Sequence, residues 1–101
     1  MSRKESVFRE LEGRLSVLQN AGVKRVAVFG SVAREEDTEE SDVDILVEFA
    51  PGMERFRYLN AVCDILDEAF GDRYDLVTSG GLSPYIGPKI LEEAEYVEAA
   101  S

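Results

Sequence analysis

A chain of 101 residues has room for one compact domain, expected to span residues 1–101, and for no second one. Eleven basic against twenty-one acidic residues leave a formal charge of −10, a field that opposes nucleic acid as a direct partner and favours a cationic one. One cysteine, Cys63, excludes an internal disulfide, and the lack of any histidine removes the imidazole base, His–Cys zinc sites and Ser–His triads, so polar catalysis would have to run on carboxylates.

Apolar residues make up 45% of the chain and recur in periodic segments, as a folded core requires. No apolar run approaches the roughly 20 residues needed to span a bilayer, and Met1-Ser2-Arg3-Lys4 leads into charged helical sequence rather than a signal-peptide core. A soluble, cytoplasmic protein without membrane partners is expected.

Ser2 and Glu5 have capping-box spacing, and Phe8, Leu11, Leu15 and Leu18 follow at helical intervals, which predicts a helix from Ser2 to Asn20. Residues 23–29, rich in β-branched side chains, read as a buried strand ending at Gly30. Val32 to Glu36 reads as a short helical turn, and Asp37-Thr38-Glu39-Glu40-Ser41 as a solvated acidic loop. A second strand covers 42–49 and stops at Pro51-Gly52. Phe56, Leu59, Cys63, Leu66 and Phe70 predict an amphipathic helix over 53–70 closed by Gly71, with Cys63 as core. A third strand runs over 74–78. Ser83 and Pro84 open a last helix that reaches Ala94, and Tyr96-Val97 suits a short final strand. The predicted fold is α/β: a mixed sheet of three to four strands flanked by helices, its first two strands antiparallel and the second and third parallel.

Asp42 and Asp44 are two apart on a strand, so both carboxylates share one face while Val43, Ile45 and Val47 take the other. Paired carboxylates repel unless a cation or proton intervenes, and magnesium, which binds through one or two carboxylates plus substrate phosphates, is the natural candidate. Gly30-Ser31 opens a helical turn whose N–H groups suit a phosphate; Ser31 adds a hydroxyl and Arg34 a fixed positive charge. Arg34 stands equally well as a surface ion pair. If the third strand lies beside the second, Asp75 joins Asp42 and Asp44, to hold metal and to accept a proton from an attacking hydroxyl. Two-metal sites of this kind serve in-line phosphoryl or nucleotidyl displacement. Tyr85 and Tyr96 are open between core, partner surface and nucleotide stacking.

Gly30-Ser31-Val32-Ala33-Arg34, then Ser41 to Phe49 and Asp75-Leu76-Val77, resembles the minimal nucleotidyltransferase family of the polymerase-β-type superfamily over residues 23–97. The resemblance implies Gly30 and Ser31 as triphosphate binders, Asp42 and Asp44 as ligands of Mg2+, and Asp75 as the third acid. It also implies an antitoxin beside a HEPN-domain ribonuclease toxin, in some members by moving AMP from ATP to a toxin tyrosine. Glu35-Glu36 departs from the pattern, which usually has a glycine and another acid there. Stoichiometric neutralisation of the partner is the rival reading, and nucleotidylation of a cationic small molecule such as an antibiotic a third. A homo-oligomer is left open.

Overall fold

The computed structural model describes residues 2–99; Met1, Ala100 and Ser101 lie outside them. In chain order the elements are α1 (Arg3–Glu12), α2 (Leu15–Asn20), β1 (Val23–Phe29), α3 (Gly30–Ala33), β2 (Val43–Phe49), α4 (Phe56–Phe70), β3 (Tyr74–Thr78), a 3-10 turn (Ser79–Gly81), α5 (Gly87–Glu93) and β4 (Glu95–Tyr96). The sheet order is β3-β2-β1-β4, with β1 antiparallel to both β2 and β4 and β2 parallel to β3. The short path through α3 returns the chain alongside itself, whereas the α4 crossover permits the parallel pair, as the connection lengths predict.

Period-two burial divides the sheet residues between two packed layers. Val26, Val28, Val43, Ile45 and Val47 pack against Leu11, Leu18, Val62 and Leu66 from the helices α1, α2 and α4. Ala27, Phe29 and Leu46 face the other way, against Ile90 of α5. Each fully buried Leu or Val contributes about 1.5–3 kcal/mol, so the larger layer dominates stability. No helix among the described residues is long and apolar enough to cross a membrane.

The Ser2 cap forms as its spacing predicts, its Oγ accepting the Glu5 N–H at 3.1 Å. The helix does not run unbroken to Asn20, however. It stops before Gly13, a poor interior helix residue, and Arg14 takes φ −112°, ψ 4° before α2 begins. In α4 the start shifts from Met53 to Phe56, and Phe56 is 78% exposed although it continues the apolar stripe, because it stands at the first residue of the helix with nothing over it. Cys63 is half-buried. Gly71 closes α4 at φ 64°, in agreement with the expected stop.

The turn predicted over residues 32–36 begins earlier, at Gly30, and ends at Ala33. Arg34, Glu35 and Glu36 return N–H bonds to Gly30, Val32 and Ser31, and Glu35 takes φ 58°. A left-handed backbone at this position suits the glycine that the family resemblance implies there, since a side chain raises the conformation by about 1–2 kcal/mol. Ser83 opens a turn rather than a helix: its carbonyl accepts the Gly87 N–H at 2.7 Å, and α5 starts at Gly87 with Pro88 in its first turn, where a missing N–H is harmless. β4 sits one residue earlier than predicted, and the Val97 N–H bonds to the Val26 carbonyl at 2.9 Å to prolong the ladder.

Candidate active site

The pairing register lines up three residues across the sheet: Phe29 at the end of β1 faces Asp44 in β2, which faces Asp75 in β3. In-register neighbours of a parallel pair project to the same side, so Asp44 and Asp75 stand together. Asp42 precedes β2 by one residue and is near enough for its charge to act on Asp44. Asp75 is exposed and Asp44 partly buried, so the row runs from solvent inward.

Gly30 closes this row on the β1 side. Its φ is 73°, and a Cβ built there would overlap the Asp44 carboxylate, with Cγ only 3.0 Å away. Backbone conformation and space therefore both require glycine. Ser31 follows as the second residue of α3, half-buried. The turn and the carboxylates meet at one place, as the antiparallel pairing of β1 and β2 predicts.

Burial pushes the Asp44 carboxyl above the usual carboxylate range, and the charges of Asp75 and Asp42 push it further. Arg34 opposes this and Glu93 adds to it. Arg34 itself is an ion-pair residue here: Nε meets Glu36 at 3.1 Å, and one terminal nitrogen donates to both Glu93 oxygens at 3.2 and 3.1 Å. Asp42 accepts a 3.1 Å bond from Arg73 Nε, and Arg73 also donates to the carbonyls of Glu39 and Ser41 at 2.6 and 3.2 Å. Arg3 contacts the same acidic loop, at the Thr38 carbonyl and Asp37. The loop is thus clipped at both ends rather than merely solvated. Sequence reasoning missed Arg73 and Glu93. Arg73 carried one faint signal, its position directly before the strand that bears Asp75.

Among the described residues, no three acidic side chains are disposed as ligands of a single ion. Magnesium does not need such a cage, since it takes hard oxygens from one or two carboxylates and completes its shell with phosphates and water. Asp44 beside Asp75 fits that donor set, and the like charge that raises the Asp44 carboxyl is what a divalent cation would relieve. A cavity of about 290 Å³ lined by Phe49, Glu54, Thr78 and Ser79–Gly81 opens at the opposite ends of β2 and β3 and includes none of these residues. The backbone and hydroxyl donors of the Gly30-Ser31 turn stand beside clustered carboxylates, an arrangement suited to displacement at phosphorus.

Tyr85 is 91% exposed, whereas Tyr96 is covered by the Arg25 guanidinium, 4.1 Å from its ring centre. Neither lies in the row.

Residues 9–97 match the family of nucleotidyltransferase domains. Protein adenylyltransferase MntA of Thermococcus cleftensis is 41% identical to this chain over 78 residues, covering 75% of this chain and 76% of that protein. A solved structure provisionally described as a minimal nucleotidyltransferase shares 37% identity and superposes with a TM-score of 0.79, covering 94% of this chain and 95% of that one. A toxin–antitoxin structure with AMP-PNP has the same fold at a TM-score of 0.58, with 19% identity over 89% of this chain and 74% of that one. Because the family match runs from within α1 to the residue after β4, it takes in the whole sheet and every element of the site, and the chain belongs to the nucleotidyltransferase domain family, in its minimal form, as an enzyme of nucleotidyl transfer.

Proposed function

We propose that this chain, working as a single domain over residues 1–101 in the cytoplasm, transfers AMP from ATP to a protein hydroxyl and is the antitoxin of a HEPN-domain ribonuclease toxin modified on a tyrosine. The observation that carries the reading is the contact of Gly30 with Asp44 in the row that also holds Asp75, which sets a phosphate-binding turn against paired carboxylates. Support for the acceptor comes from the similarity to a protein adenylyltransferase and from the shared fold with a toxin–antitoxin structure. The charge of −10 suits a basic protein surface.

In this reading Gly30 and Ser31 hold the triphosphate through backbone N–H groups and a hydroxyl, and Arg34 adds charge. Asp42, Asp44 and Asp75 would hold Mg2+, two ions in the full arrangement, which supply charge stabilisation at the transferring phosphate when bound. Asp75, the most solvent-facing of the three, takes the proton of the attacking hydroxyl. The hydroxyl oxygen bonds to the α-phosphorus, the bond to the bridging oxygen breaks, and pyrophosphate leaves.

Mass spectrometry of the co-purified partner with and without ATP tests the proposal. An ATP-dependent AMP adduct on a partner tyrosine is the expected result; a tight complex that stays unmodified would leave neutralisation by binding alone. Binding and chemistry should also separate by mutation. Ser31→Ala is expected to weaken ATP binding about fivefold, since one hydrogen bond of about 1 kcal/mol goes while the backbone donors remain. Asp75→Asn should bind ATP almost as the native chain does and lose transfer. Isothermal titration beside a transfer assay reads both.

A further inference from the structure

Glu93 is the last residue of α5, on the layer opposite the main core, yet its carboxylate reaches the start of α3. Oε1 accepts the Gly30 N–H at 3.2 Å, and both oxygens accept from Arg34, at 3.2 and 3.1 Å. Donors from two positions of the turn, a backbone N–H and a guanidinium, thus converge on a single anionic group delivered from 59 to 63 residues away. The side chain is 23% exposed, against 43% for Arg34 and 67% for Glu36, so this carboxylate sits deeper than the other partner of the same arginine. Its charge is felt at Asp44.

We infer that Glu93 is a further residue of the nucleotide site, an internal anion that holds the donors a triphosphate would use and lowers nucleotide affinity by competing for them. The inference rests on the phosphate-binding role proposed for Gly30 and Arg34. Carboxylate and phosphate oxygens accept from a guanidinium and from backbone N–H groups in the same geometry, so one can stand in for the other. An ion pair between half-exposed groups contributes little to stability, so packing alone does not account for this convergence. With Glu93 in place, the surroundings of Gly30 carry the carboxylates of Asp42, Asp44, Asp75 and Glu93, and the Arg34 charge is already neutralised. A phosphate reaching Gly30 and Arg34 has to turn the Glu93 side chain away; Ile90, one turn earlier, is buried and keeps α5 on the sheet.

The probe is inorganic tripolyphosphate with magnesium chloride, titrated calorimetrically into the full chain. Glu93→Gln keeps the size of the side chain and an oxygen for the Gly30 N–H but removes the charge, and should bind the probe at least about tenfold more tightly than the native chain. Glu93→Ala should move the same way. Arg34→Ala should weaken binding by a larger factor in the Glu93→Gln background than in the native one, because only there is the guanidinium free for the probe; a merely structural brace would not produce that coupling. Unchanged or weaker binding in both Glu93 variants, with melting curves that show them folded, would overturn the competition while an effect of Arg34→Ala kept the phosphate site. No effect of Arg34→Ala in either background would overturn the phosphate reading and this inference with it.

Discussion

Replacing Asp44 with asparagine is expected to remove transfer by about 10³-fold or more and, at neutral pH, to raise the melting temperature of the ligand-free protein. The first effect follows from taking one carboxylate out of the proposed site, where charge at the reacting phosphate depends on it. The second follows from the shift of the Asp44 carboxyl. Burial, then Asp75 and Asp42, disfavour its ionised form in the folded chain, and Arg34 offsets this only in part because it already serves Glu36 and Glu93. The folded state therefore binds the Asp44 proton more tightly than the unfolded state does. Its contribution is most favourable below the unfolded carboxylate value and declines as pH rises through the window up to the raised folded value, above which the deficit is constant. Asparagine has no such deficit, so the variant should melt higher than the native chain at pH 7, and the gain should vanish in acid. Scanning calorimetry at both pH values checks this; a variant that melts lower at pH 7 would show that repulsion and burial do not govern the residue. Mg-ATP at about 100 times its dissociation constant should add roughly 2.7 kcal/mol to the native chain and much less to the variant.

Gly30→Ala should be the most damaging single methyl group in the chain. The backbone at φ 73° disfavours any side chain by about 1–2 kcal/mol, and the added carbon would meet the Asp44 carboxylate, which has to move or force the turn open at a further cost of about 1–3 kcal/mol. A loss of about 2–5 kcal/mol lowers the melting temperature of a domain this size by on the order of 10 °C or more. Transfer should be lost in the molecules that remain folded. Gly52→Ala is the matched comparison: φ is 82° there, but nothing lies within 4 Å of the added carbon, so only the conformational part applies and transfer should survive. Equal damage from both substitutions, measured by denaturant melts and a transfer assay, would separate the Gly30 effect from Asp44.

The parts of the site that could be read from the sequence are those encoded over short distances. Gly30-Ser31 closes a β-branched run, and Asp42-x-Asp44 alternates with Val43 and Ile45, so strand period and turn chemistry placed both without any knowledge of tertiary contacts. The third acid was legible only conditionally: the α4 crossover length permits a parallel partner for β2, and Asp75 joins the row if that partner is β3, as the pairing shows. Glu93 and Arg73 were not legible. An acidic pair at the end of a last helix reads as solvated surface, and the bonds that give these residues meaning span 63 and 31 positions. Element ends also escaped, at Gly13, Phe56 and Gly87, where a stripe or cap signal persists past the point at which another element covers it.

β3 forms one edge of the sheet and has a single neighbour, β2. It nevertheless delivers Asp75 and stands directly after Arg73, the clip on Asp42 and the acidic loop. Asp44 lies in β2, an interior strand paired on both sides, and Gly30 directly follows β1, the other interior strand. Local opening proceeds from edges with fewer buried contacts, so fraying of this one strand would take away the proposed proton acceptor and loosen Asp42 while the Gly30 turn stayed formed. Hydrogen exchange should accordingly report faster exchange for the amides of 74–78 than for those of 26–29. In the proposed reading, nucleotide binding and proton transfer would then fall on parts of one sheet that differ in their resistance to opening.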